Sequence, residues 1–584
     1  MNSLLQIKNL VTSFQSEERT VVAVNNISLS INAGETLAIV GESGSGKSVT
    51  SLSILRLLNE KTSRITGEVL FQKNESWVDL QKISEQEMRT FRGKEIAMIF
   101  QEPMTSLNPV ITCGEQVAEV LRLHLGLNRK EAKEKTIELF NKVKLPRAEF
   151  LYHSYPHQIS GGQKQRVMIA MAISCNPRLL IADEPTTALD VTVQKSILDL
   201  LREIQDEFKM SIIFITHDLG VVSELAQKVA IMYKGKIVEK GTVNEIFKNP
   251  QHSYTKGLLS CRPNLNIRWP VLPTINDFMK ENSDGSYAAT GYSLSLSDTS
   301  IVEINNQRKK RLNLIYQKNP LLTLDRVNKS FTVRKSGFGR SQSISAVKDV
   351  SLSLFQGETL GLVGESGCGK STLGKLVLRL LEPTSGKIIY QDRDLSQLSL
   401  EEMRQLRKKI QVIFQDPYSS LNPIQRIGDA IAEPMIVHKI YSSKAACRKA
   451  AMELLERVGL GQEHYHRFPH EFSGGQRQRI VIARALSVNP EFIICDECVS
   501  ALDVSVQAQI INLLQQLKKE QGFSYIFISH DLSVVKYISD RIAVMKAGSI
   551  EEIGDADEIY DNPKSNYTRQ LIDAIPRLTF DLKF

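Results

Sequence analysis

The chain has 584 residues, and at roughly 100–200 residues per domain such a length predicts three to five domains instead of one core. Its 42% apolar and 24% charged residues are those of an ordinary globular chain, which excludes collagen-like, wholly disordered and polytopic membrane classes. Seventy-three Lys and Arg against 65 Asp and Glu leave +8, a balance that suits a membrane surface or a nucleic acid but demands neither.

In chain order, the opening M-N-S-L-L-Q-I-K-N-L has no basic segment followed by a long apolar stretch, so no signal peptide is expected. No run of 18 apolar residues occurs anywhere, and no membrane-spanning helix is predicted. Ile27, Leu29 and Ile31 alternate with Ser28, Ser30 and Asn32, the period-2 pattern of a strand with one wet face. A Gly34-Glu35 turn follows, then a short aliphatic strand, a Gly-rich loop, and a helix carrying Leu52, Leu55 and Leu58. Strand, Gly-loop and helix in that order begin an α/β domain with a parallel sheet.

The loop reads G-E-S-G-S-G-K-S, with Gly41, Ser43, Gly44, Gly46, Lys47 and Ser48. Glycines at this spacing let successive backbone N–H groups turn around phosphate oxygens at a helix N-terminus. Lys47 would reach the β- and γ-phosphates, and Ser48 would hold Mg²⁺. Leu179 to Ala182 form an apolar run ending in Asp183-Glu184, which delivers two carboxylates to the carboxyl edge of the sheet. Asp183 would bind Mg²⁺ through water, and Glu184 would polarise or deprotonate an attacking water. Ser160-Gly161-Gly162-Gln163 precedes a helix, as an ordinary N-cap or as a second anion cradle. His217, after the strand I-I-F-I-T, is either structural or a sensor of the γ-phosphate.

From Pro263 to about Asn319 the texture changes: a Pro-bearing stretch at Trp269, a Ser-, Asn- and Gly-rich tract over 281–300, and a basic run from Arg308 to Arg311. The polar tract is expected to be mobile, because it has too little apolar surface to offset its ordering entropy, and the basic run to be a solvated face.

Everything before that stretch then recurs. The Gly-rich loop returns at 364–371 with Gly364, Ser366, Gly367, Gly369, Lys370 and Ser371. Ser473-Gly474-Gly475-Gln476, Asp496-Glu497 and His530 follow in the same order. A duplicated phosphate loop, each copy between a strand and a helix, makes an ordinary Gly-rich turn an inadequate reading. The duplication divides the chain into 1–262, a linker and extension at 263–319, and 320–584.

These residues resemble the ATP-binding cassette ATPases. The P-loops, the glutamines Gln101 and Gln415, the S-G-G-Q signatures, the D-E pairs, the A-L-D loops (188–190 and 501–503) and the histidines stand in family order, twice. The resemblance implies an α/β fold of the P-loop NTPase kind: two tandem nucleotide-binding domains, each with a RecA-like core, an antiparallel β subdomain and a helical subdomain. It also implies a head-to-tail pairing in which Lys47 shares an ATP with Ser473, and Lys370 with Ser160. Gln101 and Gln415 join Ser48, Asp183, Ser371 and Asp496 at Mg²⁺, and Phe14 and Phe331 stack on adenine. Glu184, His217, Glu497 and His530 are the catalytic residues so implied. No N-K-x-D motif is present, which favours ATP over GTP.

Q-E-P-M-T-S-L-N-P at 101–109 and Q-D-P-Y-S-S-L-N-P at 415–423, with Y-P-H-Q-I and F-P-H-E-F before the signatures, narrow the resemblance to the fused oligopeptide/dipeptide/nickel importer ATPases. That implies import of peptides or peptide-like solutes through two integral membrane permease subunits and an extracytoplasmic solute-binding protein. It implies a peripheral position on the cytoplasmic face of the membrane and no nucleic-acid partner. Coupling surfaces are expected at 102–109 and 416–423 and in the helices that follow. The rival is a soluble twin-cassette ATPase acting on ribosomes or nucleic acid; such proteins carry a long charged helical linker, and this linker shows no helical periodicity.

Three departures stand out. Cys495-Asp496-Glu497-Cys498 offers a C-x-x-C pattern, but its centre is the Mg²⁺ and catalytic pair, and Cys498 replaces the proline seen as Pro185. Only Cys261 lies in the first C-terminal extension and none in the second, so no iron–sulfur cluster is expected; seven scattered cysteines predict no disulfide framework and a reducing cytosol. Gln158-Ile159 against Glu471-Phe472 suggests that the two ATP sites differ in rate.

Overall fold

A computed structural model describes residues 3–15, 20–101, 106–187, 189–263, 265, 267–282, 287–292, 298–333 and 342–576. Each half is built on a six-stranded sheet. In the first the order is Lys236–Thr242, Lys228–Tyr233, Thr36–Val40, Ser211–Thr216, Leu179–Asp183, Ile96–Ile99, parallel except for the hairpin at the first edge. The second repeats it with Ser549–Asp555, Arg541–Lys546, Thr359–Val363, Ser524–Ile528, Phe492–Asp496 and Ile410–Ile413. The central strands are buried along their length and read as unbroken aliphatic runs, because helices cover both faces.

An antiparallel sheet flanks each core: Thr20–Asn32, Ser3–Gln15, Ser63–Lys73 and Ser76–Asp79 in the first half, and Gln342–Leu354, Leu322–Val333, Ser385–Tyr390 and Arg393–Asp394 in the second. Its edge strand Thr20–Asn32 bulges at Ala23, and Gln342–Leu354 bulges at Ala346 in the repeat. A helical layer completes each half, with Cys113–Leu125, Arg129–Lys142 and Gly161–Ile173 in the first, and Ile427–Val437, Lys444–Arg457 and Gly474–Leu486 in the second.

The linker departs from expectation. Residues 283–286 and 293–297, which carry part of the tract expected to be mobile, lie outside the described residues. Its described parts are the antiparallel pair Met279–Glu281 with Tyr287–Ala289, and the start of a 19-residue helix, Asp298–Tyr316. The basic run is not simply a solvated face either. Arg308, only 10% exposed at its side chain, donates to Asp557 at 2.9 Å and Asp555 at 3.1 Å, and Arg311 pairs with Asp540. Upstream, the first extension is stitched to the second half. Leu272 N–H donates to Asn512 Oδ1 at 2.9 Å, Asn512 Nδ2 returns a bond to Leu272 O at 2.8 Å, and Tyr537 Oη donates to Trp269 O at 2.9 Å.

Candidate functional site

The strand Thr36–Val40 runs into the first phosphate loop, and the helix Lys47–Ile54 leaves it with no acidic residue in its first turn. Gly46 has φ 100°, and a Cβ there would lie 2.4 Å from the carbonyl oxygen of Ala23, the bulge residue of the antiparallel sheet. Gly369, with φ 110°, meets Ala346 O at 2.3 Å in the same way. The bulge therefore presses a backbone oxygen against each loop, which is why these positions are glycine.

Lys47 Nζ donates to the carbonyls of Gly41 at 2.8 Å and Glu42 at 3.0 Å; Lys370 does so to Gly364 and Glu365, both at 2.8 Å. Ser48 Oγ donates to Asp183 Oδ1 at 3.1 Å, and Ser371 Oγ to Asp496 Oδ1 at 2.9 Å. Burial, resisted by the serine bond, pushes Asp183 up to about 6, and it raises Asp496 in the same direction. A part-buried hydroxyl–carboxylate pair of oxygen donors fits Mg²⁺, which keeps several waters and takes its remaining ligands from substrate phosphates. Two protein oxygens at each site are thus a sufficient set. Beside that pair, Gln101 Nε2 donates to Glu184 Oε2 at 3.2 Å, and Gln415 Nε2 to Glu497 Oε2 at 2.9 Å.

The glutamates follow their strands with φ 45° and 49°, a left-handed turn repeated in both halves. Glu184 N–H bonds Ile215 O and Glu497 N–H bonds Ile528 O, each at 2.9 Å, so this backbone bond is kept where Cys498 stands in place of Pro185. His217 Nδ1 stands 3.4 Å from Glu184 Oε2, and His530 Nδ1 is 3.4 Å from Glu497 Oε2. Burial alone would raise Glu184, but the His217 bond and charge, then Lys47 and Thr187, hold it down at about 2. Glu497 is lowered against burial by His530 and Lys370.

One difference between the sites was not visible in the sequence. Thr187 Oγ1 donates to Glu184 Oε2 at 2.9 Å, whereas Ser500 Oγ, at the matching place, donates to the backbone oxygen of Glu497 at 2.9 Å. Of the residues expected to distinguish the sites, Gln158 accepts from Tyr155 N–H at 2.9 Å and Glu471 likewise from Phe468 N–H at 2.6 Å, whereas Phe472, which replaces Ile159, lies with its ring 5.5 Å from that of His464.

Ser160 and Ser473 cap their helices, accepting from Gln163 N–H and Gln476 N–H at 3.3 Å, while the glutamine side chains bond back at 3.0 Å. Their glycines 161, 162, 474 and 475 open those helices. Gly162 packs against Val193 and Gly475 against Val506, where a Cβ would lie within 3 Å of a valine methyl in each case.

Those valines belong to the helices Val191–Phe208 and Val504–Gln521, whose N-caps, Asp190 and Asp503, cross to the opposite half. Asp503 Oδ1 accepts from Ser43 N–H at 3.0 Å and Ser43 Oγ at 3.1 Å. Asp190 Oδ2 accepts from Ser366 N–H at 3.4 Å, and Thr192 Oγ1 donates to Glu365 Oε1 at 3.0 Å. Each phosphate loop is thereby joined to the element that carries the other half's signature. Ala188, in the first A-L-D loop, lies outside the described residues.

Phe14 and Phe331 occupy matching strand positions, opposite Val21 and Ile344; Phe14 is half-buried and Phe331 39% exposed. Of the expected coupling surface, residues 102–105 lie outside the described residues.

Known proteins resemble this sequence along most of its length. The ABC transporter family profile matches residues 24–187 and 347–500, and the profile described as oligopeptide/dipeptide transporter, C-terminal region, matches 238–286 and 552–583. The glutathione import ATP-binding protein GsiA of Salmonella paratyphi A is 47% identical over 98% of this chain and 89% of its own. Its counterpart in Shigella boydii is 48% identical over 98% and 90%. Among solved structures, an ATP-binding cassette described as a dimer in a post-hydrolysis state with ADP and phosphate is 31% identical over 40% of this chain and 98% of its own, with TM-score 0.36.

Proposed function

Because this chain belongs to the ABC transporter family, we propose that it is the ATP-hydrolysing subunit of an importer of peptides or peptide-like solutes, with both catalytic halves on one polypeptide. The observation that carries the reading is the crossed pairing of Asp503 with the first phosphate loop and Asp190 with the second. ATP held on one loop would sit against the opposite signature, Lys47 with Ser473 and Lys370 with Ser160, and its binding would close the seam.

Mg²⁺, bound at Ser48 with Asp183 and at Ser371 with Asp496, would neutralise charge on the phosphate oxygens. Lys47 and Lys370 meet the same oxygens, and the backbone N–H groups of the loops cradle them. Gln101, Thr187 and His217 all converge on Oε2 of Glu184, so Oε1 is the oxygen presented to the attacking water. At a pKa of about 2 Glu184 is ionised across the physiological range; it orients the water and accepts its proton only as the bond to phosphorus forms. Phe14 and Phe331 would stack on adenine.

Permease contact is assigned to the helical layers. Val110 and Ile424, each directly after S-L-N-P, are 77% and 83% exposed, as apolar residues covered by a partner would be. Beside Ile424 a groove of about 500 Å³ runs between Arg426, Ile436, Val437 and Tyr465. Among the described residues no helix is long and apolar enough to cross a membrane, which fits delegation of that task to permease subunits and a solute-binding protein. The peptide-like cargo rests on the relatives' printed function and the C-terminal-region match.

The helix Asp298–Tyr316 removes the argument from linker texture against the ribosomal rival, since a charged helix is present. What disfavours that rival is identity along 98% of the chain to import proteins. Co-purification from detergent-solubilised membranes tests the choice: recovery with integral membrane partners is expected, and recovery with ribosomes and none would overturn it.

A further inference from the structure

Behind the second nucleotide site, on the face away from the phosphate loop, the linker helix and the first extension roof over a cavity of about 550 Å³. That volume lies within the range of small-molecule sites, roughly 300–1,000 Å³. Its walls are unequal in kind. Trp269 and Ile315 supply apolar surface from the roof, and Tyr537 supplies it from the cassette. Five cationic side chains, Arg268, Arg308, Arg311, Lys518 and Lys519, and one carboxylate, Asp540, line it.

Asp557, 3.3 Å from Arg268 and 2.9 Å from Arg308, and Asp555, 3.1 Å from Arg308, offset part of this charge from beside the cavity, and Asp540 is already engaged. Its oxygens serve Arg311, Lys518 at 3.2 Å and Thr359 N–H at 2.9 Å. Arg308 spends both terminal nitrogens on Asp557, Asp555 and the carbonyl of Asp540, yet its buried Nε has no hydrogen-bond partner and lies 3.9 Å from Asp540 Oδ1. A guanidinium nitrogen buried without an acceptor costs free energy that an anion in the cavity would recover. Burial lowers Lys518 and Arg268, and the neighbouring arginines push the same way, Arg311 on Lys518 and Arg308 on Arg268. At the rim, Lys519 is exposed.

The corresponding place in the first half is built differently. Thr36 N–H, the counterpart of Thr359, donates to Gln227 at 2.7 Å, and Thr36 Oγ1 donates to Gln205 at 3.1 Å. Gln205, Asp206 and Gln227 stand where the second half has Lys518, Lys519 and Asp540. At these positions the two lysines are present in the linker-covered half and not in the other.

We propose that this cavity binds a small organic anion with an apolar body, its acidic group among Arg308, Lys518 and Lys519 and its body against Trp269 and Ile315. The site is independent of the cargo reading. It is placed to influence hydrolysis, because both helices that floor it begin at catalytic loops. Leu532–Ile538 follows His530, and Val504–Gln521 follows Asp503 and spans 18 residues, roughly 27 Å at ~1.5 Å per residue.

The chain supplies its own reporter, since Trp269 is one of two tryptophans and Trp77→Phe leaves it alone. The probe is 4-phenylbutyrate against its uncharged amide, titrated into the full Trp77→Phe chain with both nucleotide sites filled by a non-hydrolysable ATP analogue and Mg²⁺. Calorimetry should show one site per chain, binding should shift Trp269 emission, and the amide should bind at least tenfold more weakly. Lys519→Glu, at an exposed position that leaves folding intact, should weaken the acid at least tenfold and spare the amide. Equal affinity for acid and amide, binding with silent Trp269 emission, indifference to Lys519→Glu, or no binding at all would each overturn the proposal.

Discussion

The Thr187 hydroxyl offers a direct measure of how far orientation of the Glu184 carboxylate, proposed as catalytic, limits hydrolysis. Thr187→Val removes one donor from Glu184 Oε2 with little change of shape, leaving Gln101 at 3.2 Å and His217 at 3.4 Å, both longer than the 2.9 Å bond that is lost. A hydrogen bond to a charged group contributes about 1.5–3 kcal/mol. Two surviving donors on the same oxygen should recover part of that, which leaves about 1–2 kcal/mol on the barrier, or roughly 5–30-fold in kcat at that site. Ser500 is the internal control, because its hydroxyl bonds the backbone and not the carboxylate of Glu497. Phosphate release at saturating Mg-ATP should fall for Thr187→Val, return with Thr187→Ser, and change less than about twofold for Ser500→Ala, with KM for ATP unmoved in all three. Each variant is measured in the unmodified chain and with the opposite site silenced by Glu497→Gln or Glu184→Gln. Equal losses from the Thr187 and Ser500 variants, or a loss carried by KM, would refute the reasoning.

Gly46→Ala should abolish ATP binding at the first site while circular dichroism stays native, because the new methyl meets a backbone oxygen at 2.4 Å in a left-handed conformation. Asp503→Ala removes both bonds from Ser43 and should lower ATPase activity at least fivefold, with Asp503→Asn, which keeps an acceptor, in between; small-angle scattering should show a less closed chain. Asp540 is held below the ordinary carboxylate value: burial opposes this, but Lys518, Arg311, the Thr359 N–H and Arg308 prevail. Its contribution is therefore complete above the unfolded carboxylate pKa of about 4 and lost as pH falls through its lower folded value. Asp540→Asn should destabilise the second half by about 3–5 kcal/mol at pH 7, read as a lower denaturation midpoint, with the deficit shrinking below about pH 4.

Much of the architecture was legible because duplication made each motif its own control: the phosphate loops, the D-E strand ends and the switch histidines stand where their order and hydrophobic spacing put them. The linker helix was missed for a physical reason. Arg308, Arg311, Leu312 and Ile315 share one helical face, so the period was present, but three-to-four-residue spacing is ordinarily sought in apolar residues, and half of this face docks through charge. Thr187 was missed because motif reading stops at the glutamate, and its effect depends on a rotamer three residues on. The bonds from the glutamine amides to Glu184 and Glu497 were not legible, because side-chain reach is not encoded in motif spacing.

The pair of bonds between Leu272 and Asn512 changes what separation of the two halves can mean. With the first half's extension held on the second half's back, the halves remain tethered at a distance of a few side chains when the ATP seam opens. The effective concentration of one half about the other is then set by this clasp and not by how much protein is in solution, in the millimolar range typical of short tethers. Reclosure becomes a pivot about a fixed edge, and its rate should be the same in a dilute sample as in a concentrated one.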